Sequence, residues 1–197
     1  MRDDYDNLIE KTTFFFKIVT QRFGRFRYLL MIDDDVYVRL DRLAQALDQR
    51  PAHLDVGGFY ADEMGRPIRP RRHPSDRNTL SRDHWPLEIL PRFAAGPHYI
   101  LSRYCVEYIA SNKEWLRGVG TLEDVSVAVW MLALQQVHPV HLDHFRDNKF
   151  GCVDYAMSMA NLGPPGLRAA HFNLVAGRPL CTGFDQHSWA SYIPQLQ

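Results

Sequence analysis

The sequence predicts an α/β layered fold, because stretches with helical periodicity alternate along the chain with short apolar stretches typical of strands. Apolar side chains recur every three or four residues between Tyr5 and Phe23, which predicts an amphipathic helix. The next apolar stretch, Tyr28 to Ile32, is uninterrupted and is typical of a central strand buried on both faces.

The remaining predicted elements continue this alternation. They are an extended segment at Val36 to Val38, a helix over Leu40 to Leu47, a strand over Asp55 to Tyr60, a strand over Tyr99 to Leu101, helices over Arg103 to Asn112 and Leu122 to Gln135, and strands over His138 to Leu142 and Leu167 to Val175. Residues 62–97 lack periodicity and are rich in Pro, Arg and Gly, which predicts a functional loop or lid. All 197 residues are expected to form a single domain.

Composition excludes some function classes. The 23 basic and 23 acidic residues cancel, so global charge favours neither a nucleic-acid partner nor a membrane surface. No apolar run approaches the length of a membrane span, and the acidic N-terminal residues lack the apolar stretch of a signal peptide. Cys105, Cys152 and Cys181 show no CxxC spacing, which leaves one disulfide with a free thiol possible and the redox compartment open.

An acidic triplet, Asp33-Asp34-Asp35, follows the predicted strand directly. In an extended backbone Asp33 and Asp35 would point the same way, forming an oxygen clamp suited to Mg²⁺ or Mn²⁺. Ligands of open α/β sheets gather beyond the carboxyl ends of strands, which fits this position. A solvated acidic turn explains the three residues equally well from the local sequence alone.

Five separate stretches of the chain, taken together, form a recognisable set of motifs. They are Asp3, Tyr5, Asn7, Leu8, Lys11 and Thr12 in the first helix; Phe26 through Val38 around the triplet; Trp85-Pro86 with Leu90 through Ser102; Glu123-Asp124-Val125; and His171. In this order and spacing they resemble the beta-1,3-galactosyltransferase family, which also includes beta-1,3-N-acetylglucosaminyltransferases and the more distant Fringe-type enzymes.

The resemblance implies a GT-A-type α/β fold with a mixed central sheet flanked by helices, a UDP-sugar donor, a glycan or glycoprotein acceptor, Mn²⁺, and inversion at the anomeric carbon. It also implies that further strands supplying part of the uridine pocket lie upstream, so the chain is expected to be part of a catalytic domain. A Golgi membrane location with a lumenal catalytic domain follows from the same resemblance, with any membrane anchor upstream of this chain.

The same resemblance assigns roles at the donor. Asp35 is expected to be the direct metal ligand, with Asp33 assisting it or contacting the ribose. Asp34 is expected to contact the ligand residues and not the metal itself. His171 is expected to complete the metal shell as a neutral imidazole, although a lone histidine among apolar neighbours is more often a core residue. Apart from the resemblance, the long loop carries a run of arginines of the kind that is usually solvated; if the loop folds over the site, Arg71 or Arg72 could pair with phosphate oxygens.

At the acceptor, Asp124 is expected to be the catalytic base. Thr121 and Asp124 also have the spacing of a capping box at the start of the Leu122 helix, which is the alternative explanation. Glu123 is expected to orient the acceptor or simply to cap. Trp85 is expected to stack on a sugar face, and Gly96 to permit close backbone approach beneath a sugar.

These expectations favour an inverting hexosyltransferase that moves galactose or N-acetylglucosamine from a UDP-sugar in beta-1,3 linkage, in protein glycosylation. The alternative is a non-catalytic binding or scaffold domain descended from such an enzyme. A metal-dependent phosphohydrolase ranks last, because a two-metal site needs more ligands than the sequence offers.

Overall fold

The computed structural model describes residues 7–50, 54–60 and 67–191, and these form helices and short strands. The α-helices are α1 (Leu8–Arg22), α2 (Leu40–Asp48), α3 (Arg103–Asn112), α4 (Glu123–Met131), α5 (Pro164–Val175) and α6 (Gln186–Trp189). The strands are β1 (Tyr28–Ile32), β2 (Tyr37–Val38), β3 (Val56–Gly58), β4 (His98–Ser102), β5 (Pro139–His141), β6 (Phe145–Asp147) and β7 (Ser158–Ala160). The predicted α/β class is confirmed.

The chain divides into two compact units. The first comprises Met1–Leu30 and Leu54–His141, and the second comprises Met31–His53 and Leu142–Gln197. The described residues form two mixed sheets, one of four strands and one of three, where the sequence predicted one central sheet. The expectation of a single partial catalytic domain stays a prediction.

The first unit is built on a sheet with the strand order β1-β4-β3-β5. β3 pairs antiparallel with β4, placing Gly57 opposite Ile100, and parallel with β5, placing Gly57 opposite Val140. β1 stands at one end of this order and is half-buried, with Ile32 49% exposed. The prediction of a central strand buried on both faces was therefore wrong, because apolar composition does not reveal how many neighbours a strand has.

A hydrogen-bonded carboxylate joins three strands of this sheet. Asp55, just before β3, accepts hydrogen bonds from the Ser102 hydroxyl at the end of β4 (2.9 Å) and from His138 Nδ1 just before β5 (2.9 Å). Burial alone would raise the pKa of Asp55, but the bonds from His138 and Ser102 outweigh burial and hold the pKa below its ordinary value. Asp55 thus helps to hold the strands of the first unit in place.

The second unit is built on a sheet with the order β2-β7-β6. β7 pairs antiparallel with β2 and parallel with β6, so that Met159 lies opposite both Tyr37 and Arg146. A buried cluster packs in this unit: Ala156, Met159, Leu162, Ala170, Leu180 and Trp189. β6, β7 and α6 were not predicted, because elements of three or four residues are too short to show periodicity.

The predicted strand over Leu167 to Val175 was wrong, because these residues belong to α5. Pro164 begins the helix, where its missing N–H and fixed φ are favourable. The apolar residues Leu167, Ala170 and Leu174 recur at spacings of three and four and pack on the buried cluster.

Helix α5 also needs a glycine where it meets the segment around Trp189. A Cβ added at Gly166 would lie 2.7 Å from the Trp189 carbonyl oxygen, closer than real Cβ contacts allow. Gly166 therefore permits the close packing of α5 on α6.

In the structure, two of the three cysteines form a disulfide and the third is a free thiol. Cys152 and Cys181 form the disulfide, which closes a loop with a sequence separation of 29 around α5. Cys105 is a free thiol buried in α3, and burial raises its pKa to about 11.

Within the described residues, no helix has the length and apolar character needed to cross a membrane.

We expect reduction of the Cys152–Cys181 disulfide to destabilise the protein. Closing a loop of this length lowers the entropy of the unfolded chain and contributes about 3 to 4 kcal/mol. Reductant should lower the wild-type unfolding midpoint measured by urea titration and leave the midpoint of the Cys152→Ser, Cys181→Ser double variant unchanged. Equal wild-type midpoints with and without reductant would contradict the assignment.

Candidate functional site

In the first unit, the carboxylate of Asp124 is held by two backbone N–H groups. Asp124 lies in the first turn of α4, where its Oδ1 accepts from the Val125 N–H at 2.8 Å. Its Oδ2 accepts from the Gly96 N–H at 3.0 Å. A local contact and a contact across 28 residues of sequence together fix the carboxylate in one position.

The glycine at position 96 makes this approach possible. A Cβ added at Gly96 would lie 3.1 Å from Asp124 Oδ2 and 3.4 Å from its Cγ, tighter than most real Cβ contacts. The close approach found at Gly96 is to the Asp124 carboxylate. The predicted contact of Gly96 with a sugar stays a prediction.

The environment of Asp124 favours its protonated form more than water does. Burial raises the pKa of Asp124, and the N–H groups of Val125 and Gly96 lower it by a smaller amount. The net pKa lies above the ordinary value, while the carboxylate still lines an open pocket. A carboxylate of this kind is a stronger base than one in water.

The capping box predicted as an alternative is not formed. The residue that precedes α4 is Leu122, not Thr121, and no side chain caps this helix end. Asp124 satisfies the Val125 N–H of the first turn, so it contributes to the helix start without acting as an N-cap.

Glu123, beside Asp124, is buried and 7% exposed. Its Oε1 accepts a hydrogen bond from the Tyr99 hydroxyl of β4. Tyr99 is itself 2% exposed, as expected of a core residue. The bond ties the start of α4 to the sheet, and the predicted contact of Glu123 with the acceptor stays a prediction.

A pocket of about 310 Å³ opens beside Asp124 within the first unit. It is lined by Val56, Tyr60, Arg92, Phe93, Ala94, Tyr99, Asp124, Val127, Ala128, Met131, Leu132, Leu134, Gln135, Val137 and Pro139. This volume lies at the lower end of the range for small-molecule sites. A ligand bound in this pocket would meet the Asp124 carboxylate.

The long loop supplies the other predicted residues of the first unit. Arg71 forms an ion pair with Asp76 at 2.9 Å, while Arg72 donates to the carbonyl oxygens of Leu80, Trp85 and Leu87. The guanidinium of Arg72 thus holds the loop together. Contacts of both arginines with phosphate stay predictions.

Trp85 belongs to a small apolar cluster under this loop. It packs with Leu80, Leu90 and Val125, and its Nε1 donates to the Ile89 carbonyl at 3.0 Å. Its indole is therefore engaged in packing, and stacking on a sugar stays a prediction.

In the second unit, the acidic triplet does not continue the strand. Asp34 and Asp35 lie in a turn between β1 and β2, so the expected alternation of an extended backbone was wrong there. Asp33 and Asp34 are exposed, whereas Asp35 is half-buried. Its Oδ1 is buried and has no hydrogen-bond partner among the described residues. A buried carboxylate oxygen without a donor is a position suited to a cation.

His171, the other predicted metal ligand, lies exposed on α5. The Tyr37 hydroxyl of β2 is 3.2 Å from its Nδ1, and the two rings are tilted 57° to each other. Among the described residues, no three His, Cys, Asp or Glu side chains are grouped to hold a metal ion. The metal assignment of Asp33, Asp35 and His171 therefore stays a prediction.

Two residues near these sites were quoted in the sequence motifs without a role. Arg92 lines the pocket beside Asp124, with its guanidinium 4.5 Å from the centre of the Tyr60 ring. Tyr37 contacts His171. Their positions within the motifs at residues 90–102 and 26–38 marked them as candidate site residues. The sequence does not show which groups their side chains contact.

Comparison with known proteins identifies the family. The family model described as Galactosyltransferase matches residues 1–143. The chain belongs to this galactosyltransferase family. The resemblance inferred from the five motifs is therefore confirmed.

Three relatives are between 26% and 31% identical to this chain. It is 26% identical over 160 residues to hydroxyproline O-galactosyltransferase GALT2 of Arabidopsis thaliana, covering 80% of this chain and 23% of that protein. It is 31% identical over 156 residues to beta-1,3-galactosyltransferase 4 of Rattus norvegicus, covering 65% and 41%. It is 26% identical over 132 residues to UDP-GalNAc:beta-1,3-N-acetylgalactosaminyltransferase 2 of Xenopus laevis, covering 67% and 26%. The chain thus spans less than half the length of each of these relatives.

We expect Gly96→Ala to destabilise the protein by displacing Asp124. The added methyl crowds the carboxylate, and such overpacking typically lowers the free energy of unfolding by about 1 to 3 kcal/mol. Gly24→Ala is the matched control, because an added Cβ there has nothing within 4 Å. Denaturant unfolding should separate the two variants, and equal stabilities would show that the Gly96 approach is not tight.

Proposed function

We propose that this galactosyltransferase chain contributes to an inverting transfer of galactose or N-acetylglucosamine from a UDP-sugar to an acceptor hydroxyl in beta-1,3 linkage. The observation that carries the proposal is the Asp124 carboxylate, held by two N–H groups at the wall of a ligand-sized pocket. Two of the relatives described above are named for beta-1,3 transfer. Those relatives are named as transferases, which gives no support to the scaffold alternative.

Asp124 is the base of the proposed reaction. The acceptor oxygen forms a bond to the anomeric carbon as the bond from that carbon to the diphosphate oxygen breaks. The proton of the acceptor hydroxyl passes to the Asp124 carboxylate, and the diphosphate leaves with the bonding electron pair. A raised pKa suits this step, because it makes the carboxylate a better proton acceptor at neutral pH.

The second unit holds the residues proposed for the metal. Asp35 offers a buried oxygen without a hydrogen-bond partner among the described residues, and this oxygen fits a divalent cation. The Tyr37 contact to Nδ1 of His171 can orient the ring and leave Nε2 as the ligating nitrogen. When bound, Mn²⁺ would supply Lewis acidity at the diphosphate. Asp35 and His171, with Asp33 assisting, are the residues that would hold the metal.

A lumenal location in the secretory pathway, and specifically the Golgi, is part of the same proposal. The Cys152–Cys181 disulfide supports it, because disulfides persist in oxidising compartments. The acceptor is proposed to be a glycan or glycoprotein. One of the relatives is named for hydroxyproline as its acceptor and the names of the other two give no acceptor, so the relatives alone do not decide which acceptor this chain uses.

We expect Asp35→Asn to abolish Mn²⁺-dependent UDP binding measured by isothermal titration calorimetry. The amide lacks the negative charge that a hard cation requires. Asp41→Asn is the matched control, because Asp41 is an exposed carboxylate on α2 of the same unit. If the Asp35 variant binds UDP as the wild type does, Asp35 is not the metal ligand.

We expect Asp124→Asn to retain UDP binding and to lose transfer by a factor of roughly 10² to 10⁴, the usual contribution of a general base. In the wild type, the transfer rate should fall as pH drops through the pKa of Asp124, because only the carboxylate accepts the proton. This acid limb should lie above the ordinary aspartate pKa of about 3.9. Persistent transfer by the variant would leave Asp124 with a structural role alone.

A further inference from the structure

The pocket beside Asp124 extends along one face of α4. Asp124, Val127, Ala128 and Met131 are spaced three or four residues apart, and all four line it. At 1.5 Å per residue, the distance along the helix from Asp124 to Met131 is about 10 Å. The pocket therefore runs from the Asp124 carboxylate, near the start of α4, toward Met131 at the end of the helix.

The walls beyond the carboxylate are chiefly apolar. Among the described lining residues, the charged side chains are Asp124 and Arg92. The hydroxyls of Tyr60 and Tyr99 already donate, to the Val56 carbonyl at 3.3 Å and to Glu123 respectively. The remainder of the lining is supplied by aliphatic side chains, Phe93 and Gln135.

This arrangement disfavours a sugar along the whole pocket. A hexose carries hydroxyl groups on all sides, and burying them against aliphatic walls without partners is unfavourable. An alkyl or aryl group loses nothing there and gains by leaving water. The occupant that matches the walls therefore carries a hydroxyl at one end and an apolar body at the other.

We propose that this pocket is a subsite for the apolar part of the acceptor, so that the acceptor is a glycoside with an alkyl or aryl aglycone. Its reacting hydroxyl meets Asp124, and the aglycone lies along α4 toward Met131. The proposal rests on the proposed function, since it takes Asp124 to be the base for the acceptor hydroxyl.

The first experiment compares binding of methyl β-galactoside and octyl β-galactoside, below the micelle concentration, by calorimetry without donor. We expect octyl β-galactoside to bind at least about tenfold more tightly, since burying two methylene groups suffices for that factor. Ala128→Phe should fill the pocket and remove the preference. Ala133→Phe is the matched control, because Ala133 is exposed just beyond α4 and does not line the pocket.

A second variant tests the pocket in case Ala128→Phe does not fold. Leu132 lines the pocket but is 69% exposed, so Leu132→Ser should fold and reduce the octyl preference by roughly threefold or more. Equal binding of the two glycosides by the wild type overturns the proposal, as does an undiminished octyl preference in Leu132→Ser and in folded Ala128→Phe.

Transfer assays separate this proposal from the proposed function. UDP release with each glycoside gives a KM and a kcat for the wild type. Transfer to both glycosides with the same KM overturns the aglycone subsite and leaves the transferase function standing. An octyl preference in binding, lost in Ala128→Phe, with no transfer to any acceptor overturns the function and leaves an apolar binding site.

Discussion

The first unit depends on the close approach between Gly96 and Asp124. The absence of a side chain at position 96 lets the loop approach the first turn of α4 without crowding the Asp124 carboxylate. The Gly96 N–H then binds one carboxylate oxygen, and the Val125 N–H binds the other. This arrangement fixes the polar group at the wall of the pocket. A change that moves the loop therefore alters stability and chemistry together.

The second unit is organised around α5. This helix packs on the buried cluster through Leu167 and Ala170, and the Cys152–Cys181 disulfide joins the segments before and after it. With α5 fixed, the His171 ring is held against Tyr37 of β2. The ring is exposed and the helix beneath it is firmly packed, as a ligand side chain on a rigid scaffold requires.

Much of the fold followed from periodicity. The bounds of α2 and α3 lie close to the predicted segments, because each helix is long enough to show its apolar repeat. The strands β1, β3, β4 and β5 also lie close to predicted segments, and the segments predicted around β3 and β5 are longer than the strands themselves. The failures have physical causes. The stretch from Leu167 onward contains short apolar runs that fit either a strand or a helix, and the prolines at the start of α5 decide for the helix. Whether β1 lies at an edge depends on partners that its own residues do not encode.

The sequence by itself determined the family, because family membership depends on the order and spacing of motifs, and those are fully present in the chain. It also determined which residues are candidates: Asp35, Asp124 and His171 stand out by their motifs. Only the tertiary structure decided their surroundings. Gly96 meets Asp124 across 28 residues, and Tyr37 meets His171 across 134. Hydrogen bonding and burial depend on such distant contacts, which local sequence patterns do not specify.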